Sequence, residues 1–395
     1  MRVKCGDESL DFDLTEEQKD IKRAVQEFTQ KEFDKEKILE LDCKEEFPFD
    51  LWRKACSLGF IAVYFPEEYG GQGLGMLEHV IIVEELSRAD SSIGAALAAV
   101  PIGSEIILKF GSEEQKQKIL PKIPKGEAIS AILVAEPKHG SDITAYDTKA
   151  VKTGDGYLIN GVKSPVTNAP VAKYLITFCQ TDDKVIPSTK GQSTIVIESN
   201  RESVNITQIK NKLGIRPSVT GKVSFNNCYV PRENLIGREG EGFKHLLYSI
   251  NSFGRITVAA LGVGIAQGAF DRALRYAKER EQFGRKIIDF QIIQHKLADM
   301  AIKIETARLL TYKAAWYIDQ GKTDPLLVCM AKVHASKVAV EVTNEAVQIL
   351  GGYGYIAENE VERFYRDSKV TEIYEGTTEI IKNTIANFLT QARLP

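Results

Sequence analysis

Apolar residues recur along this chain at helical spacing, then in short β-like runs, then at helical spacing again. That order limits the folds open to it. Ile21, Val25, Phe28 and Phe33 follow a Thr15 cap with Glu16 and Glu17 in the first turn. Leu77 to Phe110 returns to the same period, and Pro101 is expected to end or kink a helix there. Around Ala128 the pattern shortens. Ile132–Val134, Tyr157–Ile159, Tyr174–Phe178, Ser193–Ile197 and Lys222–Phe225 are β-prone runs. Turn signals such as Gly154-Asp155-Gly156 and Asn160-Gly161 separate them, which predicts a small antiparallel β domain. From Gly242 the helical period returns, with long runs over Ile256–Lys278, Phe290–Ile318 and Val328–Leu350 that argue for a bundle. The expected fold is mainly α with a central β domain. Residues 1–128 form an N-terminal α-helical domain, 129–238 the β domain, and 239–395 a C-terminal helical bundle.

Composition removes several function classes. The 51 basic and 54 acidic side chains leave a net charge of −3, with no basic excess to attract nucleic acid or an anionic membrane. The cysteines Cys5, Cys43, Cys56, Cys179, Cys228 and Cys329 form no CxxC pair and read as reduced thiols. His79, His139, His245, His295 and His334 show no ligand spacing, so no catalytic metal is expected. No apolar run approaches the ~20 residues of a membrane span. The acidic start MRVKCGDESLDFDLTEEQ lacks a signal-peptide core, so a cytoplasmic bacterial or archaeal protein is expected. A processed mitochondrial-matrix form is the alternative. The Gly-rich segment Pro66–Gly75 lacks the Lys-Ser/Thr of a phosphate loop and reads as a structural turn.

The stretch Gln348 to Ile381 carries a Gly-rich turn, Gly351-Gly352-Tyr353-Gly354, and one carboxylate, Glu375, between Tyr374 and Gly376. Glycines there allow φ > 0 and close approach of a ligand. By itself Glu375 reads either as an acid facing a helix start or as a general base beside a pocket.

The spacing Gln348-x2-Gly351-Gly352-x-Gly354-Tyr355-x2-Glu358-x4-Arg363-x3-Asp367, then Tyr374-Glu375-Gly376-Thr377, resembles the C-terminal signature of the acyl-CoA dehydrogenases. Ala135-Glu136-Pro137-Lys138-His139-Gly140-Ser141-Asp142 resembles their second signature, and the likeness runs through essentially the whole chain. The resemblance implies an α-helical domain, a β-barrel-like domain and a four-helix C-terminal domain that drives tetramerisation. It implies FAD at a subunit interface, an acyl-CoA substrate, and an electron-transferring flavoprotein as partner. No GxGxxG opens a βαβ unit, so a Rossmann site is not expected.

Removing the α proton of an acyl thioester needs a base, and the β hydride needs an acceptor that side chains cannot provide. Glu375 is the expected base, since burial beside an apolar acyl chain raises a carboxyl pKa. The resemblance adds that its backbone N–H polarises the thioester carbonyl. Some members place the base before an arginine on an earlier helix; here that arginine resembles Arg255, and Gly254 precedes it. For the cofactor, the resemblance implies Ser141 at the pyrophosphate and Thr167 beside the flavin. Arg280, Gln282 and Phe283 come from a neighbouring subunit, Phe290, Gln291, Gln348, Gly351 and Gly352 form binding turns, and Thr377 and Glu379 face the adenosine. For the substrate it implies Ser141, Asn251, Gly254, Arg255, Tyr374 and Gly376. Gly94, Ala95, Ala98 and Ala99 are expected to leave room for the acyl group, and no arginine there awaits a second carboxylate.

Three positions depart from the family pattern. Ala135 stands for a hydroxyl residue, Val166 for a flavin-flanking tryptophan, and Lys138-His139 for smaller residues. The expected reaction is dehydrogenation of an uncharged medium, branched or alicyclic acyl-CoA to its trans-2-enoyl-CoA. The alternatives are an enoyl-CoA reductase running in reverse and a non-catalytic flavin-binding homologue.

Overall fold

The computed structural model describes residues 13–391. Seven helices come first: α1 Glu16–Glu32, α2 Lys35–Lys44, α3 Phe49–Ser57, α4 Met76–Ala89, α5 Ser91–Ala98, α6 Ser104–Phe110 and α7 Glu113–Ile119. Eight strands follow: β1 Ser130–Leu133, β2 Lys149–Thr153, β3 Gly156–Thr167, β4 Tyr174–Gln180, β5 Gln192–Glu198, β6 Val204–Ile209, β7 Thr220–Pro231 and β8 Leu235–Ile236. The chain closes with α8 Gly242–Ser249, α9 Arg255–Glu279, a small ribbon of β9 Glu281–Gln282 and β10 Arg285–Lys286, then α10 Gln291–Asp319, α11 Pro325–Leu350, α12 Val361–Ser368 and α13 Thr378–Gln391.

Local signals account for many boundaries. Thr15 and Gln18 form the reciprocal capping box that starts α1. Asp34, Asp90, Ser112 and Asp324 each accept a backbone N–H at the start of α2, α5, α7 and α11. α5 ends at Ala98, ahead of Pro101. Pro66–Gly75 is a turn: a Cβ on Gly71 would lie 2.1 Å from the Phe65 carbonyl oxygen.

The sheet corrects one expectation. Its order is β6-β7-β3-β2-β4-β5-β8, with β1 on β4, and β1 runs parallel to β4, as β2 does at its single pairing with that strand. The sheet is therefore mixed, because strands distant in sequence meet at β4. Every other pairing is antiparallel, the longest being that of β3 with β7.

α9 is the central helix, packed against α4, α10 and α11. Alanine and glycine dominate its buried face, including Ala259, Ala260, Gly262, Gly264 and Ala266. A Cβ at Gly264 would lie 2.4 Å from the Glu84 carbonyl oxygen, so α4 and α9 touch backbone to backbone. Gly94 has the same purpose. Its Cβ would fall 2.5 Å from Ser87 Cα, so it serves α4–α5 packing rather than room for an acyl chain. Ala95 and Ala98, by contrast, share a core cluster with Phe253 and, at its margin, Tyr374.

The 38-residue helical stretch Gly242–Glu279 is long and apolar enough to cross a membrane by length and composition, but 89% of its apolar window is buried inside the protein. It is a core helix.

Buried ion pairs tie the layers. Arg363 Nη2 lies 2.7 Å from Asp90 Oδ2, and both side chains are buried. Asp367 accepts from Ser91 Oγ, Ser92 Oγ and the Ile215 amide, joining α5, the β domain and α12.

Candidate active site

A break in the central helix builds the site. Between α8 and α9 the backbone makes a π-helical turn, Ile250–Gly254, without leaving the helical path. That extra residue per turn brings Asn251, Gly254 and Arg255 to the segment ahead of α13. In that segment Glu375 and Gly376 are both left-handed, at φ 55° and φ 98°. A non-glycine residue held there costs on the order of 1–3 kcal/mol, so its surroundings must hold it. Arg255 Nε donates to the Glu375 carbonyl at 3.4 Å, and Lys332 Nζ donates to the Gly376 carbonyl at 2.7 Å. Thr377, and not Glu375, accepts the Ile380 amide at the start of α13. The reading of Glu375 as a helix-start acid is thereby set aside.

The Glu375 carboxylate turns inward onto Gly254. A Cβ at that glycine would lie 2.2 Å from Glu375 Oε2. Oε2 is closed to solvent and has no hydrogen-bond partner among the described residues, although the residue as a whole is half-buried. Burial pushes the Glu375 pKa up, and the nearby Arg255 and Lys332 cations pull it partly back. Arg255 is fixed by Asn251 Oδ1 at 2.8 Å and by Cys329 Sγ at 3.2 Å. Glu105 is the second carboxyl of the region. Burial pushes it up to about 7, despite the Ser249 hydroxyl it accepts at 2.5 Å, and the charge of Glu375 adds to the rise. Its Oε2 and the Tyr64 hydroxyl are likewise buried without partners. A base with a raised pKa and an unpaired oxygen, on a backbone turn held at both carbonyls, is equipped to take a proton from carbon.

A second group of expected residues lines a cleft of about 480 Å³. Arg280, Gln282, Gly351 and Gly352 meet there with Tyr276, Tyr353 and Ile356. The Arg280 guanidinium sits 5.5 Å from the Tyr353 ring centre. A Cβ at Gly351 or Gly352 would meet nothing within 4 Å, and of the turn's three glycines only Gly351 has positive φ. Gly354 is required for packing, since its Cβ would lie 2.5 Å from the Val347 carbonyl oxygen. Open glycines beside a cation fit an anionic dinucleotide. Phe283 is 93% exposed, and its ring lies 6.2 Å from Phe290. Gln291, Gln348 and Glu379 are exposed, at the start of α10, the end of α11 and the first turn of α13.

Ser141 and Thr167 stand on the β domain, Ser141 exposed and Thr167 closing β3. No hydrogen bond among the described residues joins either to the two groups above. The turn that carries Ser141 has a firm base. Glu136 Oε1 lies 2.8 Å from Lys163 Nζ, both buried, and Glu136 accepts the Asp147 and Thr148 amides. The Lys163 ammonium sits 3.9 Å from the Tyr146 ring centre. Glu136, His139 and Asp147 hold ligand-type atoms within 4.8 Å of one another, yet both Glu136 oxygens are already engaged, so this is an anchor and not a metal site. Val166 requires a correction. It is 1% exposed and faces the sheet core, whereas Pro165 is exposed on the opposite face. Successive strand residues alternate, so the outward position beside Thr167 belongs to Pro165.

Three residues of the site escape a reading of motifs: Glu105, Cys329 and Lys332. Lys332 left a trace, a lysine inside the apolar stripe Val328, Ala335, Ala339, Val342 of α11.

Three family models match in order: acyl-CoA dehydrogenase N-terminal domain over 15–127, middle domain over 131–228 and C-terminal domain over 240–390. The short-chain-specific acyl-CoA dehydrogenase of Clostridium acetobutylicum is 43% identical over 95% of this chain and 99% of its own. The acryloyl-CoA reductase (NADH) of Anaerotignum propionicum is 39% identical over 95% of each. Butyryl-CoA dehydrogenase from Megasphaera elsdenii superposes with a TM-score of 0.93 at 37% identity, over 97% of this chain and 100% of its own. A structure described under the electron transferring flavoprotein of Acidaminococcus fermentans gives a TM-score of 0.93 at 42% identity, over 97% of this chain and 100% of its own. The chain belongs to the acyl-CoA dehydrogenase family and is an FAD-dependent oxidoreductase.

Proposed function

We propose that the protein removes the α proton and β hydride of an uncharged acyl-CoA thioester, leaving the trans-2-enoyl-CoA, with Glu375 as the base. The observation that carries this reading is the Glu375 carboxylate, unpartnered at Oε2 and lying over Gly254. Its raised pKa makes it a stronger base than a solvated glutamate, and Arg255 and Lys332 keep it available in ionised form. The proton goes to the carboxylate, and the α C–H electron pair becomes the new Cα=Cβ bond. FAD, when bound, supplies the acceptor for the β hydride. The Glu375 backbone N–H, in this left-handed turn, would serve as a donor to the thioester oxygen. Asn251 and Arg255 stand one helical turn apart at the same site, suited to the CoA portion.

Arg280, Gln282, Gly351 and Gly352 would hold the dinucleotide in one cleft, with Phe290, Gln291 and Gln348 at the adjoining ends of α10 and α11. Thr377 and Glu379 stand apart from that cleft, at the start of α13 beside Lys332, and would meet the dinucleotide across a subunit boundary. Ser141 and Thr167 would reach the flavin half from the β domain. Phe283, nearly fully exposed, is placed to cross to a neighbouring subunit of a homotetramer. Ala95 and Ala98, in the cluster that reaches Tyr374, leave a wall without charge. Glu105 nearby disfavours a substrate with a distal carboxylate. The short-chain-specific and butyryl-CoA relatives support a short or medium acyl group. The Acidaminococcus structure supports an electron-transferring flavoprotein as electron acceptor, and the bacterial relatives support a cytoplasmic setting.

A second reading is enoyl-CoA reduction. It is favoured by the acryloyl-CoA reductase relative and by Ala135, which lacks the hydroxyl common at that position. Anaerobic titration of the FAD-loaded protein with butyryl-, octanoyl-, isobutyryl- and cyclohexanecarbonyl-CoA tests both. Bleaching of the flavin by one of them supports dehydrogenation. Reoxidation of dithionite-reduced flavin by the enoyl-CoA, without bleaching by the saturated thioester, supports the reductase.

A further inference from the structure

One face of α11 grips the segment that carries the base. Cys329, Lys332, Ser336 and Thr343 are spaced three, four and seven residues apart, which puts them on one side of a helix. Three of them meet successive parts of the chain from α12 to α13, and Cys329 reaches it through Arg255 of α9. Thr343 Oγ1 donates to Ser368 Oγ at 3.1 Å and Ser336 Oγ to the Thr371 carbonyl at 2.8 Å. Lys332 Nζ donates to the Gly376 carbonyl at 2.7 Å. Cys329 Sγ accepts from Arg255, whose Nε reaches the Glu375 carbonyl. All four α11 residues are fully buried.

Of these polar groups only Lys332 carries charge. A lysine with no exposed surface, among Val328, Ala331, Ala335 and Ala339, is costly to bury unless its charge is used. Its ammonium bonds the carbonyl one residue beyond Glu375, so it both closes the left-handed turn and lies beside the carboxylate.

We propose that Lys332 is a positioning residue for the reaction: it pins the Glu375–Gly376 turn through the Gly376 carbonyl and so holds a buried positive charge next to the base. This rests on Glu375 being the base. The groups that face Glu375 are Arg255 from α9, Lys332 from α11, Glu105 from α6 and Tyr374 on its own segment. Those that face Lys332 are Glu375, Glu372, Arg255 and Cys329. Burial pushes Lys332 down to about 8 even against the opposing pull of the Glu375 carboxylate, so near neutral pH the lysine is mainly cationic. Lys332 lowers the Glu375 pKa alongside Arg255, and its removal raises it.

The test uses FAD-loaded Lys332→Gln and Lys332→Arg beside the wild type. The rate of anaerobic flavin reduction by saturating butyryl-CoA, or by whichever acyl-CoA bleaches the wild type, is followed from pH 5.5 to 9. Lys332→Gln is expected to move the midpoint of the rate rise up by about one pH unit and to slow reduction about tenfold at pH 7, with KM little changed. Lys332→Arg, which keeps the charge and a donor, is expected to keep the wild-type midpoint. An equal loss at every pH in Lys332→Gln, or a shift in Lys332→Arg as large as in Lys332→Gln, overturns the proposal. Should Lys332→Gln not retain FAD, the midpoint of Lys332→Arg decides: unshifted supports the proposal, shifted overturns it. Failure of the base assignment reads out separately, as a Glu375→Gln protein that still bleaches.

Discussion

Gly254 and Glu375 share one volume: the Cβ that any other residue would carry at 254 lies 2.2 Å from Glu375 Oε2. The glycine is therefore part of the base, since it lets the carboxylate settle against the π-helical turn. Gly254→Ala is expected to fold, because the clashing atom is the free end of a side chain that can swing aside. Displacing a reacting group by about 1 Å costs on the order of 100-fold in rate. Stopped-flow reduction of the variant should be slowed by about that factor, with FAD content and melting temperature near wild type.

Glu105 is predicted to weaken the fold at alkaline pH. Its folded pKa, about 7, stands above the ordinary glutamate value of 4.5, so the folded state binds the proton more tightly than the unfolded chain. The stability tied to this proton is complete below about pH 4.5 and is lost as pH rises through about 7. Glu105→Gln removes the ionisation and keeps an acceptor for Ser249. It should raise the melting temperature by a few degrees at pH 8, an effect on the order of 3 kcal/mol at most, and by much less at pH 5. Thermal unfolding at the two pH values checks the sign.

Phe283 is predicted to lie between subunits. An aromatic ring 93% exposed in one chain, beside the cleft-lining Gln282, is costly in water and inexpensive under a partner. Phe283→Asp should dissociate the oligomer in light scattering and lower the flavin retained after gel filtration by severalfold. An unchanged mass with full flavin content would place Phe283 outside the interface.

The long helices were legible because their periods are strong and uninterrupted: runs over Ile256–Lys278, Phe290–Ile318 and Val328–Leu350 lie within α9, within α10 apart from Phe290, and within α11. Strands β2 and β6 were not. Lys149–Thr153 buries a single residue, Ala150, and Val204–Ile209 is half-exposed, so neither carries an apolar run. The parallel pairing of β1 with β4 depends on residues more than 40 positions apart and leaves no local mark. Within the site, Glu375 was legible from its setting in a motif. Glu105 was not, because beside Ser104 it reads as a first-turn acid, and its burial comes from tertiary packing around α6, including α8. The Val166 misreading came from the same source: which face of β3 a residue takes is fixed by pairing, not by the residues themselves.

The base assignment is tested most directly by Glu375→Gln. The FAD-loaded variant is mixed anaerobically with the acyl-CoA that best bleaches the wild type. The amide keeps the shape of the side chain but cannot accept the α proton at neutral pH. The predicted result is a shift of the flavin absorbance on binding, with reduction slowed by a factor on the order of 10⁴ or more. Bleaching at a rate near that of the wild type would show that another group takes the proton.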